Sequence, residues 1–280
     1  MFNLENLTSL AEIPRIHRRE RPDATAQIFD GRETSYAEFD RNTNRIANAL
    51  RAHGLGRQAR IGFLAKNSDF YFELLFGACK ANNVVVGVNW RLAQPEVEFI
   101  LNDARCELLF VGAEYYAMAE KLRESCPTLK AVIAMDDGHL DWPAFPQWRD
   151  AADDTDPEIE STAGDDVIQL YTSGTTGHPK GVQLTNANFT ALFEVAQQAR
   201  WGVFEAGKMA LTCMPVFHIA GANMGIFSLA QGASNVVMKE VDPNAILEYI
   251  PRYKINYALF VPAVILVLTQ HPETKNTDFA

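Results

Sequence analysis

The sequence predicts an α/β protein built from two layered, mainly parallel sheets covered by helices. Short continuous apolar runs such as Val84-Val-Val-Gly-Val88 recur along the chain, and apolar segments with a period near 3.6 separate them. Strands that read as unbroken apolar runs are buried on both faces. In a chain that alternates them with helices, this means a parallel sheet with helical cover.

Each element follows from its local residues. Arg15-Ile-His-Arg-Arg-Glu-Arg-Pro22 is locally basic and reads as a solvated helix end, because the chain around it is acidic. Thr34 or Ser35 caps a helix in which Tyr36, Phe39, Ile46, Ala47 and Leu50 recur until Gly54 ends the run. A regular alternation follows: strand 60–65, apolar helix 69–82, strand 84–88, a helix 95–103 with Pro95 in its first turn, strand 107–111, helix 117–125 and strand 131–135. Between 149 and 166 eight carboxylates crowd a stretch with Pro157 and Gly164. No apolar periodicity would hold them in a fixed geometry, so the segment reads as an exposed acidic connection and not as a metal site. A second alternation comprises strand 167–171, a helix from Thr185 or Asn186, strand 209–214, helix 221–229, strand 235–238, a helix from Pro243, strand 257–261 and a helix from Pro262. Residues 1–150 thus form a first α/β subdomain, 151–166 an acidic linker and 167–280 a second subdomain.

Composition narrows the function classes. Of 280 residues 48% are hydrophobic and 21% charged, ordinary for a globular protein with a substantial core, and a net charge of −10 makes nucleic acid a poor partner. Cys79, Cys106, Cys126 and Cys213 lie in or beside apolar runs with no C-x-x-C pair, which implies buried free thiols. Met1-Phe-Asn-Leu-Glu lacks the basic and apolar regions of a signal peptide. The longest apolar stretch, 257–268, is about half the ~20 residues of a membrane span. A cytoplasmic protein is the resulting expectation.

The chemistry concentrates in Thr172-Ser-Gly-Thr-Thr-Gly-His-Pro-Lys-Gly181, directly after a buried strand. A triphosphate needs several donors brought close to negative oxygens. Gly174 and Gly177 permit close backbone approach, Thr172, Ser173, Thr175 and Thr176 add hydroxyls, and Lys180 adds a point charge. Charge-assisted hydrogen bonds of roughly 1.5–3 kcal/mol each make a handful sufficient for micromolar binding. The stretch is not a Walker A loop, since Pro179 precedes Lys180 and Gly181 follows it. Without its anion the stretch 172–181 is expected to be mobile. Of the histidines, His17, His53, His139, His178 and His271 stand in polar or loop contexts and read as surface residues.

This stretch resembles the signature of the adenylate-forming superfamily of acyl-CoA synthetases, adenylation domains and beetle luciferases. Met214-Pro-Val-Phe-His-Ile-Ala-Gly221 resembles that superfamily's next element, and Thr34-Ser-Tyr-Ala-Glu-Phe39, Asn89-Trp-Arg-Leu92 and Phe260-Val-Pro262 agree, although Trp90 stands where proline is commoner. The resemblance implies the early part of the large N-terminal domain of an acyl-CoA synthetase-like fold, with ATP, Mg2+ and coenzyme A as cofactors and a carboxylic acid as substrate. It implies that Thr172–Lys180 hold phosphates and that His218 stands beside the reacting carboxylate, with Phe217, Ile219 and Gly221 in the acyl pocket. The apolar neighbours Phe217, Ile219, Met224, Ile226 and Phe227 suit a fatty or other hydrophobic acid. An aryl-acid ligase and a non-catalytic nucleotide- or acyl-binding module remain alternatives, and a homo-oligomer is left open. The superfamily's later elements, which hold adenine and ribose and supply a C-terminal lysine, do not occur in these residues. The 280-residue chain is therefore expected to make no thioester and to expose apolar surface.

Overall fold

A computed structural model of the chain describes residues 7–136, 138–172, 179–200 and 202–279. The first strand, β1 (Thr25–Phe29), turns through Asp30-Gly31 into β2 (Arg32–Ser35). Both turn residues have positive φ (49° and 78°), the conformation that a two-residue Asp-Gly hairpin demands. The remaining strands are β3 (Arg60–Leu64), β4 (Val84–Gly87), β5 (Cys106–Val111), β6 (Ala131–Ala134), β7 (Asp166–Thr172), β8 (Lys180–Thr185), β9 (Met209–Thr212), β10 (Ser234–Val237) and β11 (Ile255–Ala258). They form a five-stranded sheet in the order β11-β9-β10-β1-β2 and a six-stranded sheet in the order β6-β5-β3-β4-β7-β8. Only the β1–β2 and β7–β8 pairs are antiparallel; the others are parallel, as the unbroken apolar runs require.

Each sheet draws strands from both sides of the acidic 151–166 stretch, so the sheets do not divide where the chain's composition changes. The early β1 pairs in parallel with the late β10, Gln27 opposite Asn235, while β7 and β8 complete the earlier sheet beside β4. The reason is that a short strand takes its sheet from long-range packing, which local composition does not encode. The acidic stretch is exposed but not loose. Asn44 and Asn48 donate to the carbonyls of Asp153, Asp154 and Thr155, and Arg15 makes a bidentate pair with Asp156 at 2.6 and 2.8 Å.

Helix α3 (Asp69–Lys80) lies between the sheets, touching β1 on one side and β4 and β7 on the other. It is apolar nearly all round, with Tyr71, Phe72, Leu74, Leu75 and Phe76 fully buried, as a helix without a solvent face must be. Each such side chain contributes about 1.5–3 kcal/mol of burial. Helix α2 (Tyr36–Ala52) packs on it, its first turn capped by Ser35, whose hydroxyl accepts from the Glu38 amide. The buried charges of this layer are paired. Lys80 Nζ, fully buried, reaches Asp40 and Asn44 at 2.6 Å, and Glu73 accepts from Arg149 at 2.6 Å and Asn42 at 2.8 Å.

All four cysteines are buried free thiols, as expected. His17 is not the surface residue its context suggested. Helix α1 (Glu12–Glu20) buries it completely, and its Nε2 lies 3.0 Å from the Ala230 carbonyl. Its polar neighbours in sequence occupy the outer face of the same amphipathic helix, and that amphipathicity masked the burial. Among the described residues no helix is long and apolar enough to cross a membrane.

Candidate functional site

Two segments bring the sequence-singled residues toward one end of the strands. Open α/β sheets bind ligands there, beyond the carboxyl ends of their parallel strands. The first is a hairpin. Thr172, the last residue of β7, stands opposite Lys180, the first of β8, so the phosphate-loop sequence spans the mouth of an antiparallel pair instead of leading into a helix. Ser173, Gly174, Thr175, Thr176, Gly177 and His178 lie outside the described residues. The hairpin's stem is braced: Tyr171 donates to Asp103 at 2.5 Å, and Gln169 donates to the Tyr171 hydroxyl at 3.1 Å. Burial and the Asp103 carboxylate push the Tyr171 phenol upward, so it stays protonated as the donor. Lys180 and Thr172 are exposed, and no ion pair joins Lys180 to another described residue. A free ammonium and hydroxyl at a glycine-rich mouth fit an anionic ligand such as a nucleotide phosphate.

The second segment is the turn from β9 into helix α8 (Ile219–Ala230). His218 is the N-cap of α8 and is exposed; its Nδ1 accepts from the Ala220 amide at 3.3 Å, which leaves Nε2 without a role in the cap. Phe217 and Ile219 are half-buried on either side. Gly221 has a packing reason to be glycine: a Cβ there would meet the Met214 and Pro215 carbonyl oxygens at 2.2 and 2.4 Å.

The residue that holds this turn is Asn67, which sequence reasoning did not single out. Its Nδ2 donates to the carbonyls of Met214 (3.0 Å) and Met238 (3.1 Å), its Oδ1 accepts from Val216 N (2.9 Å), and its own amide donates to Lys239 O (3.1 Å). One buried amide from the β3–α3 loop thereby ties the six-stranded sheet to the ends of β9 and β10. Those partners lie more than 140 residues away, so local pattern carries no signal for the role.

The two segments meet at Gly87. This last residue of β4 pairs with Leu170 of β7, and a Cβ on it would stand 3.0 Å from Phe217 Cα. The strand that leads to Thr172 and the turn that carries His218 therefore share one contact. Trp90, the departure from proline, packs edge-on against Phe217 at 6.2 Å and lies under the Arg91 guanidinium at 4.6 Å. An aromatic at this position builds a wall for the His218 turn.

Beyond that turn lies a cavity of about 600 Å3. Asn223, Met224 and Phe227 of α8 face it, with Leu192 of α7 (Asn186–Ala199), Arg200, the Gly202–Phe204 segment and β11 with the residues after it. Phe217, His218, Ile219 and Gly221 do not line it; it opens one helical turn deeper along α8. Its size and mostly apolar lining, with the Arg200 guanidinium as the one charged group, suit a small hydrophobic molecule. Among the described residues no cluster of three His, Cys, Asp or Glu side chains has metal-binding geometry.

Residues 15–280 match the family described as AMP-binding enzyme. The chain is 34% identical over 276 residues to a fatty acid–[acyl-carrier-protein] ligase of Streptomyces coeruleorubidus, covering 98% of this chain and 52% of that protein. It is 31% identical over 258 residues to a long-chain-fatty-acid–CoA ligase of Mycobacterium tuberculosis, covering 87% and 47%. The chain thus spans about half the length of the curated relatives it matches. Among solved structures, the N-terminal domain of FACL13 from Mycobacterium tuberculosis superposes with a TM-score of 0.86 at 27% identity, over 97% of this chain and 67% of that one. The chain belongs to the family of AMP-binding enzymes and has the N-terminal-domain fold of an acyl-CoA synthetase.

Proposed function

We propose that the chain supplies the phosphate- and acid-binding part of an ATP-dependent acid–thiol ligase acting on a hydrophobic, fatty carboxylic acid. The observation that carries this reading is the shared contact at Gly87, which joins the strand leading to Thr172 and Lys180 to the turn carrying His218, with the apolar cavity just beyond. In the first half-reaction a carboxylate oxygen attacks the α-phosphorus of ATP and pyrophosphate leaves. Donors at Thr172, Ser173, Gly174, Thr175, Thr176 and Gly177, with the charge of Lys180, would hold the departing phosphates. Removing one preorganised donor from such a site costs about 10²–10³ in rate. His218, whose Nδ1 is engaged in the helix cap, would stand beside the carboxylate and donate from Nε2 to one of its oxygens. In the second half-reaction a thiol attacks the acyl carbon and AMP leaves. Mg2+ would enter with the nucleotide to neutralise its phosphates.

Coenzyme A is the first choice of thiol. The relative that acts on an acyl-carrier protein favours a second reading, in which a carrier-protein thiol accepts the acyl group. Thioester formation by the complete gene product, with fatty and aryl acids crossed against CoA and a carrier protein, tests both readings. Transfer of a fatty acyl group to either thiol supports the proposal, and no thioester with any pair overturns it. The 280-residue chain alone, about half the length of its relatives, is proposed to make none.

A further inference from the structure

Lys180 is delivered by the weaker arm of the hairpin. β8 is an edge strand with β7 as its one neighbour among the described residues, and Lys180 to Gln183 are exposed. No core packing at its start fixes where Lys180 stands. What lies on it there is Tyr171. In the β7–β8 register Tyr171 stands opposite Gly181, next to the Thr172–Lys180 pair, and its ring covers the glycine. A Cβ at Gly181 would meet Tyr171 Cζ at 3.0 Å and the hydroxyl oxygen at 3.1 Å. Aromatic cover of an edge glycine pins strand register. The far end of the ring is held in turn, where the hydroxyl accepts from Gln169 at 3.1 Å and donates to Asp103 at 2.5 Å.

Asp103 occupies a position where a carboxylate is disfavoured. It is the last residue of helix α4 (Gln94–Asp103), whose last turn carries no basic residue, and a negative charge there opposes the helix macrodipole. No salt bridge to a described residue offsets that cost, and the bond its side chain makes is the one to the Tyr171 hydroxyl. We propose that Asp103 and Tyr171 act as a positioning pair for the nucleotide: α4 presents the carboxylate, the carboxylate holds the phenol, and the ring clamps Gly181 so that Lys180 stays opposite Thr172. This rests on the reading of that hairpin mouth as the phosphate site. The pair touches no phosphate. It lowers the cost of ordering Lys180 and Thr172 before the nucleotide arrives, so it acts on nucleotide affinity and leaves the acid's affinity alone.

Pyrophosphate exchange by the complete gene product, with KM measured separately for ATP and for the acid, tests this. Tyr171→Phe and Asp103→Ala should each raise KM for ATP roughly 5-fold and leave KM for the acid unchanged. Asp103→Asn keeps an acceptor for the phenol and should recover most of the loss. The double variant, Tyr171→Phe with Asp103→Ala, should be no worse than either single one, because both remove the same bond. Tyr171→Phe, which keeps the ring over Gly181, and Asp103→Asn carry the test if Asp103→Ala fails to fold. An unchanged KM for ATP, equal rises for ATP and acid, an asparagine as damaging as alanine, or single losses that multiply in the double variant would overturn the inference alone. No exchange by the wild-type protein with any acid would overturn the phosphate-site reading beneath it.

Discussion

Asn67 shows how much of the candidate site's geometry depends on one buried side chain bonded to backbone groups. It is buried, and four hydrogen bonds join it to two segments, the exits of β9 and β10. Asn67→Ala would leave the Met214 and Met238 carbonyls and the Val216 amide unsatisfied. At about 1–3 kcal/mol for a buried orphan group, we expect a loss of about 3 kcal/mol in stability by urea titration. The turn carrying His218 would move with it, so adenylation should fall even where the variant is fully folded. Asn67→Asp, which keeps the acceptor for Val216 and removes the two donors, should fall between. A variant with wild-type stability and rate would show that the turn is held elsewhere. His218 and Lys180 were singled out in the sequence because each stands in a contiguous motif. Asn67 was not, because its partners are brought in only by the fold. Met224 was named in the sequence as an apolar neighbour and does line the cavity, while Asn223 beside it drew no notice.

Among the elements, the parallel core strands were legible from their apolar runs, and their observed ends fall within a few residues of expectation. The strand expected at 257–261 is β11 at Ile255–Ala258, because Pro262 and the helix it opens claim the following residues. The β1–β2 pair and β8 were missed, although each carried a signal: Asp30-Gly31 between two short strands, and the alternation of Val182 and Leu184 with polar residues. Both are short, partly exposed and antiparallel, so they lack the unbroken apolar run that marks the others. The β4–β7 register makes a prediction of its own. Gly87→Ala would press a methyl against Phe217 and the Leu170 side chain, at 3.0 and 3.1 Å. Overpacking of this kind costs about 1–3 kcal/mol. The melting temperature should drop, and acid-dependent turnover should drop further than stability alone explains. Gly56→Ala, where nothing lies within 4 Å of the new methyl, is the matched control and should be silent. Equal behaviour of the two variants would remove Gly87 from the account.

Across the whole molecule two buried titrating groups act in opposition. Burial pushes Glu73 up to about 7 despite Arg149 and Asn42, and burial holds His17 down at about 4 despite the Ala230 carbonyl. An acid raised from 4.5 contributes stability that is full below pH 4.5 and lost as pH rises toward 7. A base lowered from 6.5 contributes stability that is full above pH 6.5 and lost as pH falls toward 4. The two slopes nearly cancel in between. Glu73→Gln should therefore leave a protein that loses stability as pH falls from 6.5 to 4. His17→Phe should leave one that loses it as pH rises from 4.5 to 7. Denaturant midpoints across that range read the slopes directly, and slopes of the same sign in both variants would contradict the burial argument. Interleaving of the sheets could not be read from the chain, because the pairing of β1 with β10 joins segments some 200 residues apart. Exposed apolar surface was expected, and much of it gathers in one stretch of chain: Leu259, Val261, Ile265, Leu266 and Val267 are each 36–57% exposed along β11's exit and the following helix. A patch of that kind favours association, so the 280-residue chain should sediment as more than a monomer at micromolar concentration, and Ile265→Glu with Leu266→Lys should restore the monomer. A monomeric wild-type chain would contradict this.

Acid-dependent exchange of labelled pyrophosphate into ATP, catalysed by the complete gene product, tests the central claim most directly. It reports adenylation alone and requires both the phosphate loop and the acyl site. The account predicts exchange that depends on a hydrophobic acid and falls 10- to 1000-fold in Lys180→Ala with the melting temperature unchanged, since the side chain is exposed. Exchange that proceeds equally well in Lys180→Ala, or none with any acid, would contradict it.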